Sequence, residues 1–496
     1  MDYLLAFAAY DFINFRELEI RSLLTIHGLS QDCIPSNTNW TDPYVKVSLP
    51  NNEVAASFIE RSMLVKSIYL IWACAPSFEQ LLEMVPQIPL SSIEKYLYGN
   101  DSYKMVVSSV NKKIPVDHRL PFIQRLVESH ADTTAPVDLD NPKHKLHILF
   151  EYAKPTTNKG DQALVRVYYG LAIAESCRKQ ILNQFDLSKR FYLGNTTMDV
   201  CLAGIIANAA LCKRGDIVWD PFIGTGGMVL AASIWGAYGA GNDIDYSLVH
   251  GIGASPKAGQ GKRTKGECLR ANYRQYGMES RYLDVLIADA ASLSRLLRTM
   301  PSNEGLFDAM ITDPPYGVRE RSCRVASEAA EKEPSLQPPE FIHQITGEKQ
   351  FALVPDQNGL VPVPHDLPHY PHKEDYPLQE TFGDLLLQAN IFLKPGGRLV
   401  FWVPVSKSNY KGPSSLPAHP RFKLITVCEQ ALNLRISRFL MVMEKLGPNE
   451  PDFSLATEVL NEAIDDEGRM SNSEVRGIPF HLKNFRETYF LPKDQR

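Results

Sequence analysis

The chain has no C-x-x-C pair among its eight cysteines, which are scattered at positions 33, 74, 177, 201, 212, 268, 323 and 428. That scatter argues against a disulfide framework and against a cysteine zinc site. It fits reduced thiols in a cytosolic or nuclear setting, with the cytoplasm as the expected location. No stretch approaches the ~18 uninterrupted apolar residues of a membrane-spanning helix, so no membrane span is expected. Met1 to Asp11 is apolar but opens with an acid and lacks the basic start that a secretory signal needs. An excess of positive charge is missing too: the net charge is −5. That counts against a chain-wide grip on nucleic acid, because affinity for phosphates comes from Lys and Arg. What remains is ordinary for a soluble globular protein, with 44% hydrophobic and 22% charged residues. A length of 496 residues suggests roughly three domains.

Basic residues nevertheless cluster locally. Between Lys257 and Arg274 lie Lys262, Arg263, Lys265 and Arg270, against the single acid Glu267. Lys112-Lys113, Arg178-Lys179 and Lys189-Arg190 form smaller groups. The pairs read as solvated faces. The longer run follows a predicted strand and is expected on the ligand side of a sheet. Lys262, Arg263 and Lys265 of that run are the candidates for nucleic-acid contact, and Lys112 and Lys113 are kept beside them as a second basic patch.

Strands are predicted at Tyr3 to Tyr10, Tyr44 to Leu49 and Val65 to Cys74, with helices at Arg16 to His27 and Val54 to Met63 between them. This β-α-β-α-β order over residues 1–75 suggests a ferredoxin-like α+β domain. Residues 76–170 carry strands at Tyr103 to Val110 and Leu146 to Tyr152 around a helix at Leu120 to Ser129. Leu171 to Phe185 reads as helical, making 171–190 a helical linker. Residues 191–445 alternate strand and helix, as a parallel sheet covered on both faces does. Phe422 to Cys428 and Ser437 to Met443 suit an antiparallel pair at its edge. An insertion at 318–379 is rich in Pro, Glu, Ser and His and lacks periodicity. His365, His369 and His372 there have helical spacing, but a proline precedes each, so no helical metal site is expected. Residues 446–496 match no pattern.

Chemistry concentrates in two segments. Gly215-Asp-Ile-Val-Trp-Asp-Pro-Phe-Ile-Gly-Thr-Gly-Gly-Met228 reads as a strand, a glycine turn and a helix start. Gly224 and Gly226 let the backbone turn tightly, and a helix N-terminus is expected to offer free N–H groups to an anionic ligand group. Asp243, 19 residues beyond Gly224, ends the next strand. An acid about 20 residues on is placed to reach a ribose hydroxyl. Asp289 ends a third strand. The second segment is Ile311-Thr-Asp-Pro-Pro-Tyr-Gly317. A strand cannot run through Pro314 and Pro315, so Asp313, a proline carbonyl and the Tyr316 ring meet at a strand's C-terminal end. Such a group can accept the hydrogens of a planar amine while the ring stacks on the base that bears it. Asp-Pro-Pro-Tyr alone is also consistent with a plain proline-rich turn, and the ordered set is what gives it specificity.

This set resembles the class I S-adenosylmethionine-dependent methyltransferases that modify exocyclic amines. Arg190-Phe-Tyr-Leu-Gly-Asn-Thr-Thr-Met-Asp199 is similar to a segment of the tRNA guanosine-10 N2-methyltransferases, with Thr197 where Ser is common. Pro136 to Pro142 and His147 to Tyr152 resemble the end of a THUMP domain, the RNA-binding module of that family. Asn272 to Gly277 and Leu393 to Trp402 also fit. The resemblance covers roughly residues 1–445. It implies a Rossmann-like α/β methyltransferase sheet at 191–445 behind an N-terminal α+β RNA-binding half, and S-adenosylmethionine as cofactor. It further implies tRNA as substrate and, in eukaryotes, a small zinc-binding activator subunit as partner.

On this resemblance Asp313, Pro314, Pro315 and Tyr316 are catalytic. Asp220, Phe222, Gly224, Thr225 and Gly226 take the methionine end of the cofactor, Asp243 the ribose and Asp289 the adenine amine, with Thr196 and Thr197 closing over it. Asp313 and the Pro314 carbonyl would accept the amine hydrogens, and Tyr316 would offer a face to a flipped base. Three alternatives stay open: an adenine N6-methyltransferase, a glutamine N5-methyltransferase, and an inactive RNA-binding scaffold. The second would favour Asn at position 313.

Overall fold

The computed structural model describes residues 1–8, 11–130, 132–154, 162–300, 304–318, 320–325, 340–342, 349–351, 353–356, 359–362, 373–408, 410, 412 and 415–451. His365, His369 and His372 of the insertion and residues 452–496 lie outside them. Two compact units form, one of Met1–Phe191, Met198–Gly215 and Leu230–Ala237, the other of the remaining chain from Tyr192 onward.

The first unit is built on one six-stranded sheet. Its strands are β1 (Asp2–Phe7), β2 (Tyr44–Ser48), β3 (Val65–Ala75), β4 (Tyr103–Val110), β5 (His144–Tyr152) and β6 (Leu164–Glu175), in the order β2-β1-β3-β6-β5-β4. The ferredoxin-like segment and the following segment are thus halves of one sheet, joined by the antiparallel β3–β6 pair. Two apolar clusters fill the halves. Leu5, Ile20, Leu23, Phe58 and Ile68 belong to one, and Phe78, Leu97, Leu126, Ile148 and Phe150 to the other.

The join corrects the sequence reading. Leu171 to Glu175 is strand, not helix, and the helix begins only at Arg178 (Arg178–Gln184). A short continuous apolar run cannot be assigned from its period alone. Here the pairing of Val167 to Glu175 with Ala75 to Ser67 decides it. Gly170 permits that pairing, since a Cβ there would lie 2.0 Å from the Leu70 carbonyl oxygen.

The second unit holds a seven-stranded sheet. Its strands are β7 (Ile217–Asp220), β8 (Tyr238–Asp243), β9 (Tyr282–Ile287), β10 (Phe307–Thr312), β11 (Leu393–Ser406), β12 (Phe422–Ala431) and β13 (Ile436–Lys445). The order is β12-β13-β11-β10-β7-β8-β9. Strands β7 to β11 run parallel, and β13 inserts antiparallel between β11 and β12. The final antiparallel pair is as the sequence suggested. β10 and residues 399–405 of β11 are mostly apolar and buried, as strands covered on both faces must be. Helix Leu378–Phe392 contributes Phe382, Leu385, Leu386 and Ala389 to that core. The borders of the insertion meet again, since Cys323–Val325 pairs antiparallel with Lys373–Asp375.

Candidate active site

Chain order reverses direction between β7 and β10, and in open α/β sheets ligands bind at such a switch point, beyond the strands' C-terminal ends. Acids stand at or just past the ends of four neighbouring strands: Asp220 after β7, Asp243 after β8, Asp289 after β9 and Asp313 after β10. The sheet therefore gathers at one edge residues that are far apart in sequence.

Asp220 is fully buried. Its Oδ1 accepts the Thr312 hydroxyl at 2.7 Å and the Phe222 N–H at 3.0 Å. Its Oδ2 is buried with no hydrogen-bond partner. Burial, with Asp243 and Asp313 nearby, pushes its carboxyl up to about 7. A buried carboxylate oxygen without a donor is costly, and such an exception asks for a reason. An incoming donor or cation would supply one.

The Asp243 carboxylate accepts the Gly224 N–H and the Asp245 N–H, both at 2.9 Å. Burial raises it to about 6. Two N–H groups of the glycine turn are thus already taken within the protein. Gly224 N–H is tied to Asp243, and Gly226 N–H donates to the Ile223 carbonyl at 2.7 Å. Both glycines have positive φ, and a Cβ on Gly226 would lie 2.2 Å from Leu269. A dinucleotide pyrophosphate here would face carboxylates. A cationic group would find them complementary.

Thr197 closes the neighbouring corner. Its hydroxyl lies 2.9 Å from that of Thr225 and donates to the Gly194 carbonyl at 3.0 Å. Thr196 donates to Glu320 at 2.6 Å. Asp289 accepts two backbone donors, Ala291 N–H at 2.9 Å and Val325 N–H at 2.7 Å. The second ties the acid to the start of the insertion. Phe222 is half-buried beside the turn.

Asp313 has a different environment. Its Oδ1 takes a short hydrogen bond from the Tyr316 hydroxyl, and its Oδ2 takes one from Arg438 at 2.9 Å. Burial raises the carboxyl and Arg438 opposes the rise. Tyr316 is held well above its ordinary value by burial and by that carboxylate, so it serves as a neutral donor. Pro314 is buried and Pro315 half-buried.

A family model for the Tmrp11 THUMP N-terminal domain matches residues 1–178, and one for the RMKL-like methyltransferase domain matches residues 188–328. The tRNA (guanine(10)-N(2))-methyltransferase TRMT11 of Xenopus laevis is 33% identical over 478 residues, covering 96% of this chain and 89% of that protein. The Bos taurus protein of the same name is 34% identical over 438 residues, covering 88% and 87%. The chain belongs to the TRMT11 family. The crystal structure of TrmN from Thermus thermophilus aligns over 90% of this chain and 100% of its own, at 17% identity and a TM-score of 0.40.

Within this TRMT11-family site, two residues escaped the sequence reading. Asn242, fully buried, donates to the carbonyls of Pro221 at 3.0 Å and Ala288 at 3.2 Å and accepts Trp219 Nε1–H at 3.2 Å. It ties together the ends of β7, β8 and β9. Its place beside Asp243 was the available signal. Arg438 carried none, standing 125 residues from the acid it meets.

The candidate RNA-contact residues divide. Lys262 and Lys265 are exposed. Arg263 turns inward, donating to the Tyr192 hydroxyl at 3.1 Å and the Leu193 carbonyl at 3.0 Å while stacking on the Tyr192 ring at 4.7 Å. In the first unit Lys112 and Lys113 line a cleft of about 390 Å³ with Phe122 and Tyr152, and Lys112 lies 5.3 Å from the Tyr152 ring centroid. Among the described residues no group of three or more His, Cys, Asp or Glu is arranged to hold a metal, and no helix is long and apolar enough to cross a membrane.

Proposed function

We propose that the chain is the catalytic subunit of a tRNA methyltransferase that transfers a methyl group from S-adenosylmethionine to the exocyclic N2 of guanosine 10. The carrying observation is Asp313 at the switch point, next to a cluster of buried carboxylates. Asp220 Oδ2, the orphaned acceptor, and Asp243 fit a cationic, hydroxyl-bearing cofactor. S-adenosylmethionine supplies an electrophilic methyl carried on a sulfonium.

The chain's own residues then act on the amine. Guanine N2 is a poor nucleophile because its lone pair is delocalised into the ring. Asp313 and the Pro314 carbonyl accept its two hydrogens, turning the lone pair outward and stabilising the charge that grows on nitrogen. Two donors already fix the Asp313 oxygens, so Asp313 orients and polarises, and the departing proton passes to solvent. Tyr316 is anchored to Asp313 through its hydroxyl, leaving its ring as a wall for a base taken out of its stack.

The deciding experiment supplies methyl-labelled cofactor to bulk tRNA, DNA and protein, then maps the modified nucleoside. Label at N2 of guanosine 10 is expected. Label on adenine N6 or on protein would overturn the reading.

The first unit is the RNA-binding half, with Lys112 and Lys113 at its cleft. The partner is a small zinc-binding activator subunit, and the edge strand β9 is the surface offered to it. Leu283 and Ile287 on that strand are 48% and 47% exposed, with Leu296 and Met300 exposed nearby. Unpaired strand edges and exposed apolar patches recruit partners or aggregate. Co-expression should turn a poorly soluble chain into a one-to-one complex. Full tRNA methylation by a monodisperse single chain would remove the need for the partner. The eight free thiols support a reducing location, the cytoplasm.

A further inference from the structure

Three of the four strand-end acids use the same local support. Asp220 accepts the N–H of Phe222, Asp243 that of Asp245, and Asp289 that of Ala291. Each is the residue two positions on, so the carboxylate is fixed by its own turn. Asp313 has no such donor, because its next two residues are Pro314 and Pro315, and proline carries no N–H. The motif that frees a backbone carbonyl for the amine therefore leaves its carboxylate without backbone support.

A distant residue supplies what the turn lacks. Arg438 reaches Asp313 Oδ2 at 2.9 Å from β13, and both side chains are largely buried, at 14% and 22% exposure. The guanidinium is itself fixed. It lies 4.1 Å from the Trp402 ring centroid on β11, and its Nε donates to Gln430 Oε1 on β12 at 2.8 Å. Arg438 pairs in register with Pro404 on one side and Gln430 on the other, so its backbone position is set by both neighbours.

We infer that Arg438 is a positioning residue for the methyl transfer: from the antiparallel strand it clamps one oxygen of Asp313 and sets which lone pairs face the acceptor amine. A carboxylate has about four lone-pair sites. Tyr316 and Arg438 take one on each oxygen, leaving one on each for substrate. The clamp also opposes the neutralising effect of burial on Asp313. Among the described residues, the charged or titratable groups acting on Asp313 are Tyr316 on its own loop, Arg438 from β13, Glu320 beyond the loop and Asp220 at the end of β7. Only Arg438 among them is cationic. The inference rests on the proposed role of Asp313.

The test uses the full chain with its partner and tRNA. Arg438→Met should lower kcat about 10–100-fold, the equivalent of one charged hydrogen bond, with cofactor affinity within about twofold. The acidic limb of the kcat profile should move to higher pH, because a carboxyl without its cation needs a higher pH to ionise. Arg438→Lys should keep that limb in place and recover part of the rate. An unmoved limb in the methionine variant, or a lysine variant no better than methionine, overturns the inference. If Arg438→Met does not fold, Gln430→Leu decides, since it loosens the guanidinium without removing it. A ~2–10-fold fall in kcat at constant cofactor affinity supports the clamp, and an unchanged kcat overturns it. Asp313→Ala, run alongside, separates the two claims. If it stays active, the role of Asp313 itself fails. If it is inactive while Arg438→Met is normal, only the clamp fails.

Discussion

Each unit buries a whole carboxylate, and the two are treated differently. Glu19 in the first unit is fully buried and accepts four donors: Ser62 Oγ–H, the N–H groups of Met63 and Leu64, and Asn208 Nδ2–H, all between 2.7 and 2.9 Å. Asp220 in the second unit is equally buried, with both of its donors on Oδ1 and none on Oδ2. Both carboxyls are raised by burial. The difference is completeness. Glu19 is closed and belongs to the scaffold. Asp220 is open, with a buried acceptor that a bound group could fill.

The comparison can be broken at several points. The largest effect is expected at Asp313. Asp313→Ala should lower methyl transfer by about 10²–10³-fold, with cofactor affinity nearly unchanged in calorimetry. Lost cofactor binding would move Asp313 to the cofactor side. Next is Glu19→Ala, which removes the shared acceptor of four buried donors, of which only Leu64 N–H keeps a second acceptor for the same hydrogen, Ser62 Oγ. It should cost about 3–5 kcal/mol of stability in denaturant titration. Asp220→Ala should cost less than Glu19→Ala, and equal costs would erase the distinction between closed and open carboxylates.

Asp243→Ala should weaken cofactor binding by about 1.5–3 kcal/mol per charged hydrogen bond lost, with RNA binding unchanged. An unchanged cofactor dissociation constant would point instead to Asp245. The pH dependence has a definite sign. Asp220 and Asp243 are raised to about 7 and about 6 from an ordinary 3.8. Their contribution to stability is then fully present below about pH 4 and is lost as pH rises through 6 and 7. On the roles proposed for these carboxylates, cofactor binding uses their ionised forms and should weaken as pH falls through the same window. Melting curves with and without cofactor should therefore diverge above neutral pH and converge near pH 5. The smallest effect is on the surface, where Lys262→Ala or Lys265→Ala should reduce the salt slope of RNA binding by about one each, if each contacts a phosphate.

How much of this was readable depends on the range of the signal. The glycine turn, Asp243 and Asp-Pro-Pro-Tyr are local, so turn chemistry and spacing are enough to place them at strand ends. The seven-strand alternation was legible for the same reason. Leu171 to Glu175 was misread because a run of apolar residues has no period of its own, and only pairing with β3 settles it. Arg263 was assigned outward by its charge, but Tyr192 and the Leu193 carbonyl draw it in. Arg438 lay beyond reach because its partner is fixed by sheet order, which no window of sequence contains. Of the N–H groups expected free at the glycine turn, that of Gly224 is taken by the acid of the neighbouring strand and that of Gly226 by the Ile223 carbonyl.

The position of β13 bears on how the protein is made. Strand order places it between β11 and β12, although it is the last strand of the sheet to be synthesised. A nascent chain that has released everything up to Ala431 holds all four acids and no Arg438. Its sheet has a gap, and Asp313 faces that gap without a counter-charge. Domains tend to fold as units while they emerge from the ribosome. A chain cut short before Arg438 would carry the whole acidic motif and lack both the central part of β13 and the partner of Asp313.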